Sequence, residues 1–235
     1  MDMENPVVIL LSGGPDSSTL AYDLVKRQGK KVLAITFDFG EREANAEIAA
    51  AKKVAMDLGI EHHIVDFSAP MRELYGLPFP QYLRKAAGPI LTSEHAPDQS
   101  KDVQPFGSAI ALLMAASWAL KQGASSVYYG VHFNDTVYKD NNSSYFELLE
   151  KVTSSCEGES YAVQFKTPYL ELMKSDVVAL GHSLGLPLGD TWSCAASDET
   201  HCGQCDPCVD RIEAFKQSGI EDSTEYAMDL SATAK

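Results

Sequence analysis

Strand-like and helix-like segments alternate along most of the chain, and this alternation constrains the fold more than any other feature. Residues 6–11 form a short apolar run that predicts a buried strand, and residues 16–28 carry apolar side chains at helical spacing before Gly29. Strands that alternate with helices predict a parallel sheet covered by helices on both faces. We therefore expect an α/β fold with an open, mostly parallel, Rossmann-like sheet.

The other periodic segments continue this pattern to the last quarter of the chain. Residues 68–104 contain many prolines and glycines and little periodicity, which predicts an irregular insertion over the carboxyl edge of the sheet, where loops often cover sites. The predicted strands are 31–37, 62–67, 126–131 and 161–167, and the predicted helices are 41–58, 106–122, one from 143, 174–184 and 208–217.

The turn between the first strand and the first helix has residue types that bind phosphate. It reads SGGPDSS over residues 12–18, at the position where ligands bind in open α/β sheets. Glycines let main-chain N–H groups approach an anion, and serine hydroxyls add donors at a helix N-terminus. Asp16 fits a helix cap or a ligand of Mg²⁺ beside a triphosphate. The predicted nucleotide-binding residues are Leu11, Ser12, Gly13, Gly14, Pro15, Asp16, Ser17, Ser18, Thr19 and Phe37.

This turn differs from the two commonest nucleotide-binding motifs. It lacks the Gly-Lys-Ser/Thr ending of the Walker A motif and is not G-x-G-x-x-G, so neither a P-loop NTPase nor a dinucleotide-binding protein is indicated. The alternative interpretation is that the segment binds no ligand and is an ordinary helix start, with a glycine turn and a Ser or Asp cap.

Four of the five cysteines follow the pattern C-x7-C-x2-C-x2-C near the C-terminus. Four thiolates suit tetrahedral Zn²⁺, and a site filled by four protein ligands is structural. Two disulfides or an iron-sulfur cluster are the alternatives. Cys156 stands apart and is interpreted as an incidental thiol. The predicted zinc ligands are Cys194, Cys202, Cys205 and Cys208.

Charge and hydropathy limit the cellular location and the kinds of partner that we expect for this chain. The net charge of −14 disfavours direct nucleic-acid binding, because it repels a phosphate backbone. The N-terminus has acidic residues where a signal peptide has basic ones, and no apolar run reaches the roughly 18 residues of a membrane span. We expect a cytoplasmic protein with a small-molecule substrate or a protein partner.

Together, these motifs resemble the 7-cyano-7-deazaguanine synthase family, the zinc-containing members of the PP-loop ATP pyrophosphatase superfamily. The resemblance covers nearly the whole chain, and it implies a PP-loop domain over residues 1–190 and a zinc-binding segment over 191–235. The matching pieces are residues 12–18 (SGGPDSS), 37–40 (FDFG) with Glu47, Thr167-Pro168 with Lys174, 191–194 (TWSC), 202–208 (CGQCDPC), Arg211 and Ala214-Phe215.

The resemblance implies a reaction and its cofactors. ATP, with Mg²⁺, adenylates the carboxylate of 7-carboxy-7-deazaguanine and releases pyrophosphate, and ammonia then gives the amide. A second adenylation dehydrates the amide to the nitrile, a precursor for modified tRNA or DNA. The implied catalytic residues are Asp16, Lys174 and Asp140, and the implied assembly is a homodimer. An equally good interpretation of Lys174 is a solvated lysine at a helix start. An equally good interpretation of Asp140 is an exposed acid in a loop.

Three segments depart from the family pattern. Residues 105–108 (PFGS) stand where the family has an Arg-Asn pair, residues 40–43 (GERE) lack the usual Gln and His, and Asn141-Asn142 replace a Cys-Arg pair. Loss of a guanidinium removes bidentate recognition of a carboxylate or purine. Two hypotheses therefore stand side by side: the ordinary synthase, and a paralogue of an antiviral or DNA-modification system that couples the activated acid to another amine, such as one on a protein. The intact 12–18 loop argues against a third, a nucleotide sensor without catalysis.

Overall fold

The computed structural model describes residues 5–75, 108–157 and 162–228, and its described strands form one parallel sheet. The strand order β3-β2-β1-β4-β5 places the first strand at the centre, as in doubly wound α/β folds. The α/β fold predicted from the alternating pattern is confirmed. The strands are Val7–Leu10 (β1), Val32–Asp38 (β2), Glu61–Asp66 (β3), Ser126–Tyr128 (β4) and Gln164–Lys166 (β5).

Seven α-helices lie in the described part of the chain. They are Pro15–Tyr22 (α1), Ala44–Leu58 (α2), Ser68–Tyr75 (α3), Ala109–Lys121 (α4), Ser143–Glu157 (α5), Lys174–Ser183 (α6) and Asp206–Ser218 (α7). In these segments no helix is long and apolar enough to cross a membrane.

The predicted insertion begins with a helix rather than with irregular structure. Residues 68–75 form α3, because Oδ1 of Asp66 accepts hydrogen bonds from the main-chain N–H and the hydroxyl of Ser68, at 2.8 and 2.6 Å, and so caps the first turn. Residues 76–107 lie outside the described residues. The irregular structure predicted there stays a prediction.

The two faces of the sheet carry separate apolar clusters. Neighbouring residues of β1 point to opposite faces, so Ile9 packs with α1, α6 and α7, whereas Val8 packs with α4 and α5. Ala214 and Phe215 of α7 belong to the first of these clusters. The C-terminal helix is therefore part of the same core that supports the loop after β1.

The loops after β1 and β4 meet at the carboxyl edge of the sheet. Gly130, just beyond β4, packs so closely against the first turn of α1 that a Cβ at this position would lie 3.0 Å from the Cα of Ser17. This close packing brings the residues that follow β4 alongside the predicted phosphate-binding turn of residues 12–18, called the phosphate loop below.

Candidate active site and metal centre

The loop between β1 and α1 is folded around Gly13. This glycine has a φ of 82°, and a Cβ here would lie 2.5 Å from the carbonyl oxygen of Glu47 and 2.7 Å from the nitrogen of Ala51 in α2. Only glycine fits, since both the backbone conformation and the space exclude a side chain. The two ends of the loop are joined by the hydroxyls of Ser12 and Ser17, whose oxygens lie 3.0 Å apart.

The predicted nucleotide-binding residues divide into surface and buried positions. Ser12 is exposed, and Gly14 and Asp16 are half-buried. Phe37 lies half-buried near the end of β2, stacked on Phe39 with 5.7 Å between ring centroids. A ligand at the loop therefore meets the Ser12 hydroxyl and main-chain N–H groups at the positive end of α1. The buried positions are Leu11, Gly13, Pro15, Ser17, Ser18 and Thr19.

Asp16 lies between two basic side chains from distant parts of the chain. Its Oδ2 is 3.3 Å from Nζ of Lys174, the first residue of α6, and 3.7 Å from Nε2 of His132. Within the described residues, its buried Oδ1 has no hydrogen-bond partner. Two of the three predicted catalytic residues, Asp16 and Lys174, are thus in contact.

His132 and Asp135, which sequence reasoning missed, complete this group. Oδ2 of Asp135 lies 3.4 Å from Nδ1 of His132 and accepts a hydrogen bond from its main-chain N–H at 3.1 Å. Burial raises the pKa of Asp135, and the neighbouring His132 opposes part of this rise. The available signal was a His and an Asp three residues apart directly after a predicted strand.

Lys174 keeps its positive charge in this group. Burial lowers the pKa of its ammonium group, but the carboxylates of Asp16 and Asp135 outweigh burial, and the resulting pKa lies above the ordinary value. The main-chain N–H of Lys174 also donates to Oδ1 of Asn134 at 3.0 Å. The turn that carries His132 therefore holds the positively charged Lys174 beside the phosphate loop.

Asp140, the third predicted catalytic residue, follows β4 in the chain but lies in space beside the N-terminus of α4. Its Oδ2 accepts a hydrogen bond from the main-chain N–H of Ser108 at 3.0 Å. Nearby, Oδ1 of Asn142 caps α5 by accepting from the N–H of Tyr145 at 3.0 Å. Among the residues that depart from the family pattern, 105–107 lie outside the described residues.

Three glutamates surround the start of α2, close to the phosphate loop. Burial, reinforced by the charges of Glu43 and Glu41, raises the pKa of Glu47 to about 8. Burial likewise raises the pKa of Glu43 to about 7. In the folded chain, Glu43 and Glu47 therefore keep their protons at pH values at which an ordinary glutamate is ionised.

The four clustered cysteines form a candidate metal centre. Their sulfurs all lie within 4.8 Å of one another, and Sγ of Cys205 is 3.9 Å from Sγ of Cys194. Tetrahedral zinc with bonds of about 2.3 Å needs a separation of about 3.8 Å. Main-chain N–H groups of Ala196 and Cys202 each donate to Sγ of Cys194 at 3.4 Å. Cys202 and Cys208 supply the other two sulfurs, so the donor set can hold a metal such as zinc.

The remaining cysteine is separate from this centre. Cys156 is exposed on α5. The four clustered cysteines are not joined by disulfide bonds in this structure.

Comparison with known proteins gives matches over nearly the full length of the chain. The family model described as queuosine biosynthesis protein QueC matches residues 6–219. The 7-cyano-7-deazaguanine synthase of Methanoregula boonei is 36% identical over 221 residues, which cover 93% of this chain and 98% of that protein. The synthase of Caldicellulosiruptor saccharolyticus is 33% identical over 225 residues, covering 95% and 96%. That of Alteromonas mediterranea is 36% identical over 234 residues, covering 95% and 100%.

Proposed function

Because the chain belongs to the queuosine biosynthesis protein QueC family, we propose that it is an ATP-dependent ligase that converts 7-carboxy-7-deazaguanine and ammonia to 7-cyano-7-deazaguanine. The observation that carries this proposal is the pair formed by Asp16 and Lys174 beside a glycine loop at the positive end of α1. It supplies fixed charge where a triphosphate would bind.

In the first step, a carboxylate oxygen of the substrate attacks the α-phosphorus of ATP and pyrophosphate leaves. The main-chain N–H groups of the loop and the ammonium group of Lys174 stabilise the charge that develops on the leaving group. Asp16 is suited to hold Mg²⁺, since its Oδ1 is buried without a hydrogen-bond partner in the described structure. The bound ion would neutralise phosphate charge.

In the second step, ammonia attacks the carbonyl carbon of the acyl-adenylate. The C–N bond forms, the bond from the carbonyl carbon to the AMP oxygen breaks, and the nitrogen loses a proton. We assign His132 as the acceptor of this proton, with the carboxylate of Asp135 3.4 Å from Nδ1 on the other side of its ring. A second ATP then adenylates the amide oxygen and releases pyrophosphate. The bond from carbon to this oxygen breaks as AMP leaves with it, and the nitrogen loses its two protons, which gives the nitrile.

The cysteine centre is proposed to hold structural zinc, because all four coordination positions are filled by protein sulfurs. We further propose the PP-loop domain over residues 1–190, the zinc-binding segment over 191–235, Asp140 as a substrate-binding residue and a homodimeric assembly. Family membership supports these proposals.

A second candidate keeps the first step and couples the activated acid to another amine, such as one on a protein, in an antiviral or DNA-modification system. The observation in its favour is the Asn141-Asn142 segment. Asn142 uses its side chain to cap α5 and to donate to the carbonyl oxygen of Lys139 at 2.7 Å, so it does not replace the charge of the family's arginine.

Pyrophosphate release tests the shared first step. Wild-type protein should release pyrophosphate from ATP only when 7-carboxy-7-deazaguanine and Mg²⁺ are both present. Equal release without the acid would refute activation of this carboxylate.

A further inference from the structure

Trp192 touches both the phosphate loop and the segment that carries the metal ligands. Its main-chain N–H donates to the carbonyl oxygen of Gly13 at 2.9 Å. Its indole N–H donates to the carbonyl oxygen of Cys194 at 2.8 Å. The carbonyl oxygen of Trp192 also packs on Gly14, where an added Cβ would lie 3.4 Å from it. One residue therefore bonds to both sites.

The indole ring is held from the side of the metal centre. It lies against His201, with 4.2 Å between ring centroids. Nε2 of the buried His201 accepts a hydrogen bond from the main-chain N–H of Ser193 at 3.0 Å. Because His201 precedes the candidate ligand Cys202, the position of the indole depends on the turn that carries the candidate metal ligands.

Arg211 fixes the residues on either side of Trp192. It lies in α7, the helix that also carries Cys208, and its side chain is fully buried. A buried guanidinium needs several partners, and here they come from the segment around Trp192 and from the chain after α7. Its acceptors are Leu188 O and Thr191 Oγ1 at 2.8 Å, Ser193 Oγ at 3.3 Å, and the carboxylate of Asp222 at 3.3 and 3.4 Å.

From these contacts we infer that Trp192 is a positioning residue that couples metal binding at the cysteine centre to ATP binding at the phosphate loop. With the metal bound, Cys194 is fixed, and its carbonyl oxygen holds the indole and thereby the N–H that supports Gly13. This inference rests on the proposed function, since it takes ATP as the ligand of the loop.

The coupling has an expected size and a required symmetry. Loss of support equivalent to one hydrogen bond corresponds to about a tenfold change in affinity. Because linkage is reciprocal, ATP must strengthen zinc binding by the same factor that zinc strengthens ATP binding.

The test measures the dissociation constant of ATP by calorimetry, with and without zinc, in wild type, Trp192→Phe and Trp118→Phe. Phenylalanine removes the indole N–H but keeps the main-chain N–H and an aromatic ring. Trp118 is the matched control, because it packs edge-on against His63 and against the other core cluster. We expect zinc removal to weaken ATP binding about tenfold in wild type and Trp118→Phe, and at most about twofold in Trp192→Phe.

Circular dichroism first tests whether the zinc-free proteins remain folded. If zinc removal unfolds them, the rate of zinc loss to a chelator decides instead: ATP should slow it in wild type and Trp118→Phe and not in Trp192→Phe. Equal effects of zinc or of ATP in all three proteins would overturn the inference. Absence of ATP binding by zinc-loaded wild type would contradict the proposed function, and with it the coupling.

Discussion

Lys174 places its ammonium nitrogen 3.3 Å from Oδ2 of Asp16 and thereby joins the start of α6 to the phosphate loop. Both side chains are largely buried, with 15% and 17% of their surfaces exposed, so their attraction is little screened by water. The pair gives a phosphate loop that has no lysine of its own a fixed positive charge.

Replacement of Lys174 by Met should lower the rate of pyrophosphate release by about 10²–10³-fold, because charge on the leaving phosphate loses its counter-charge. Lys53→Met is the control, since Lys53 forms an exposed ion pair with Asp190. The initial rate at saturating ATP measures the effect. Similar rates for the two variants would remove Lys174 from the mechanism.

Gly13→Ala should abolish ATP binding, because the new Cβ meets the backbone of α2 at 2.5 Å. Gly219→Ala is a matched control: Gly219 also has a positive φ, of 71°, but nothing lies within 4 Å of an added Cβ. The control should lose only about 1 kcal/mol of unfolding free energy. Calorimetric ATP titration and urea unfolding measure the two effects, and ATP binding by Gly13→Ala would contradict the described loop.

His132→Asn should separate the two steps of the reaction. Exchange of pyrophosphate into ATP should stay within about threefold of wild type, whereas amide formation should fall about 10²-fold through loss of the proton acceptor. His182→Asn, on the exposed face of α6, is the control. If both steps fall equally, His132 does not serve the amine step alone.

Stability should depend on pH through Glu47, whose pKa in the folded chain is raised to about 8. A carboxyl group whose pKa is raised by folding stabilises the folded chain fully at pH values below its ordinary pKa. This stabilisation is lost as the pH rises through about 8. Glu47→Gln removes this loss. Relative to wild type, the variant should therefore gain about 1–2 kcal/mol of unfolding free energy between about pH 5 and pH 8.5, an estimate that allows for partial exposure.

Urea unfolding without ligands at both pH values measures this gain. Glu147→Gln, on the exposed face of α5, is the control and should leave the pH dependence of wild type unchanged. A constant difference between Glu47→Gln and wild type would contradict the raised pKa.

The fold was largely predictable because its signals are local. The apolar run at 6–11 and the helical spacing at 174–184 each depend on residues close in sequence, and β1 and α6 form there. The start of α3 was missed because its cap, Asp66, lies in the preceding predicted strand and the segment is short. Local patterns cannot weigh such a capping bond against a proline-rich composition.

The candidate site was only partly predictable because it is assembled across the sheet. The glycines and serines of the loop are contiguous, and so is the spacing of the cysteines. The contact of Asp16 with His132 depends instead on the parallel pairing of β1 with β4, which brings distant loops to one edge. Arg211 matched the family pattern, but its burial and its hydrogen bonds to the residues on either side of Trp192 follow only from the packing of α7.

Mass spectrometry of one reaction tests the central claim most directly. The reaction mixture contains zinc-loaded protein, ATP, Mg²⁺, 7-carboxy-7-deazaguanine and ammonium. Pyrophosphate, amide and nitrile are measured together in this mixture. The account predicts that pyrophosphate and amide appear first and that nitrile follows. Pyrophosphate with no amide or nitrile would favour another acceptor amine, and the absence of any ATP turnover would contradict the proposed function.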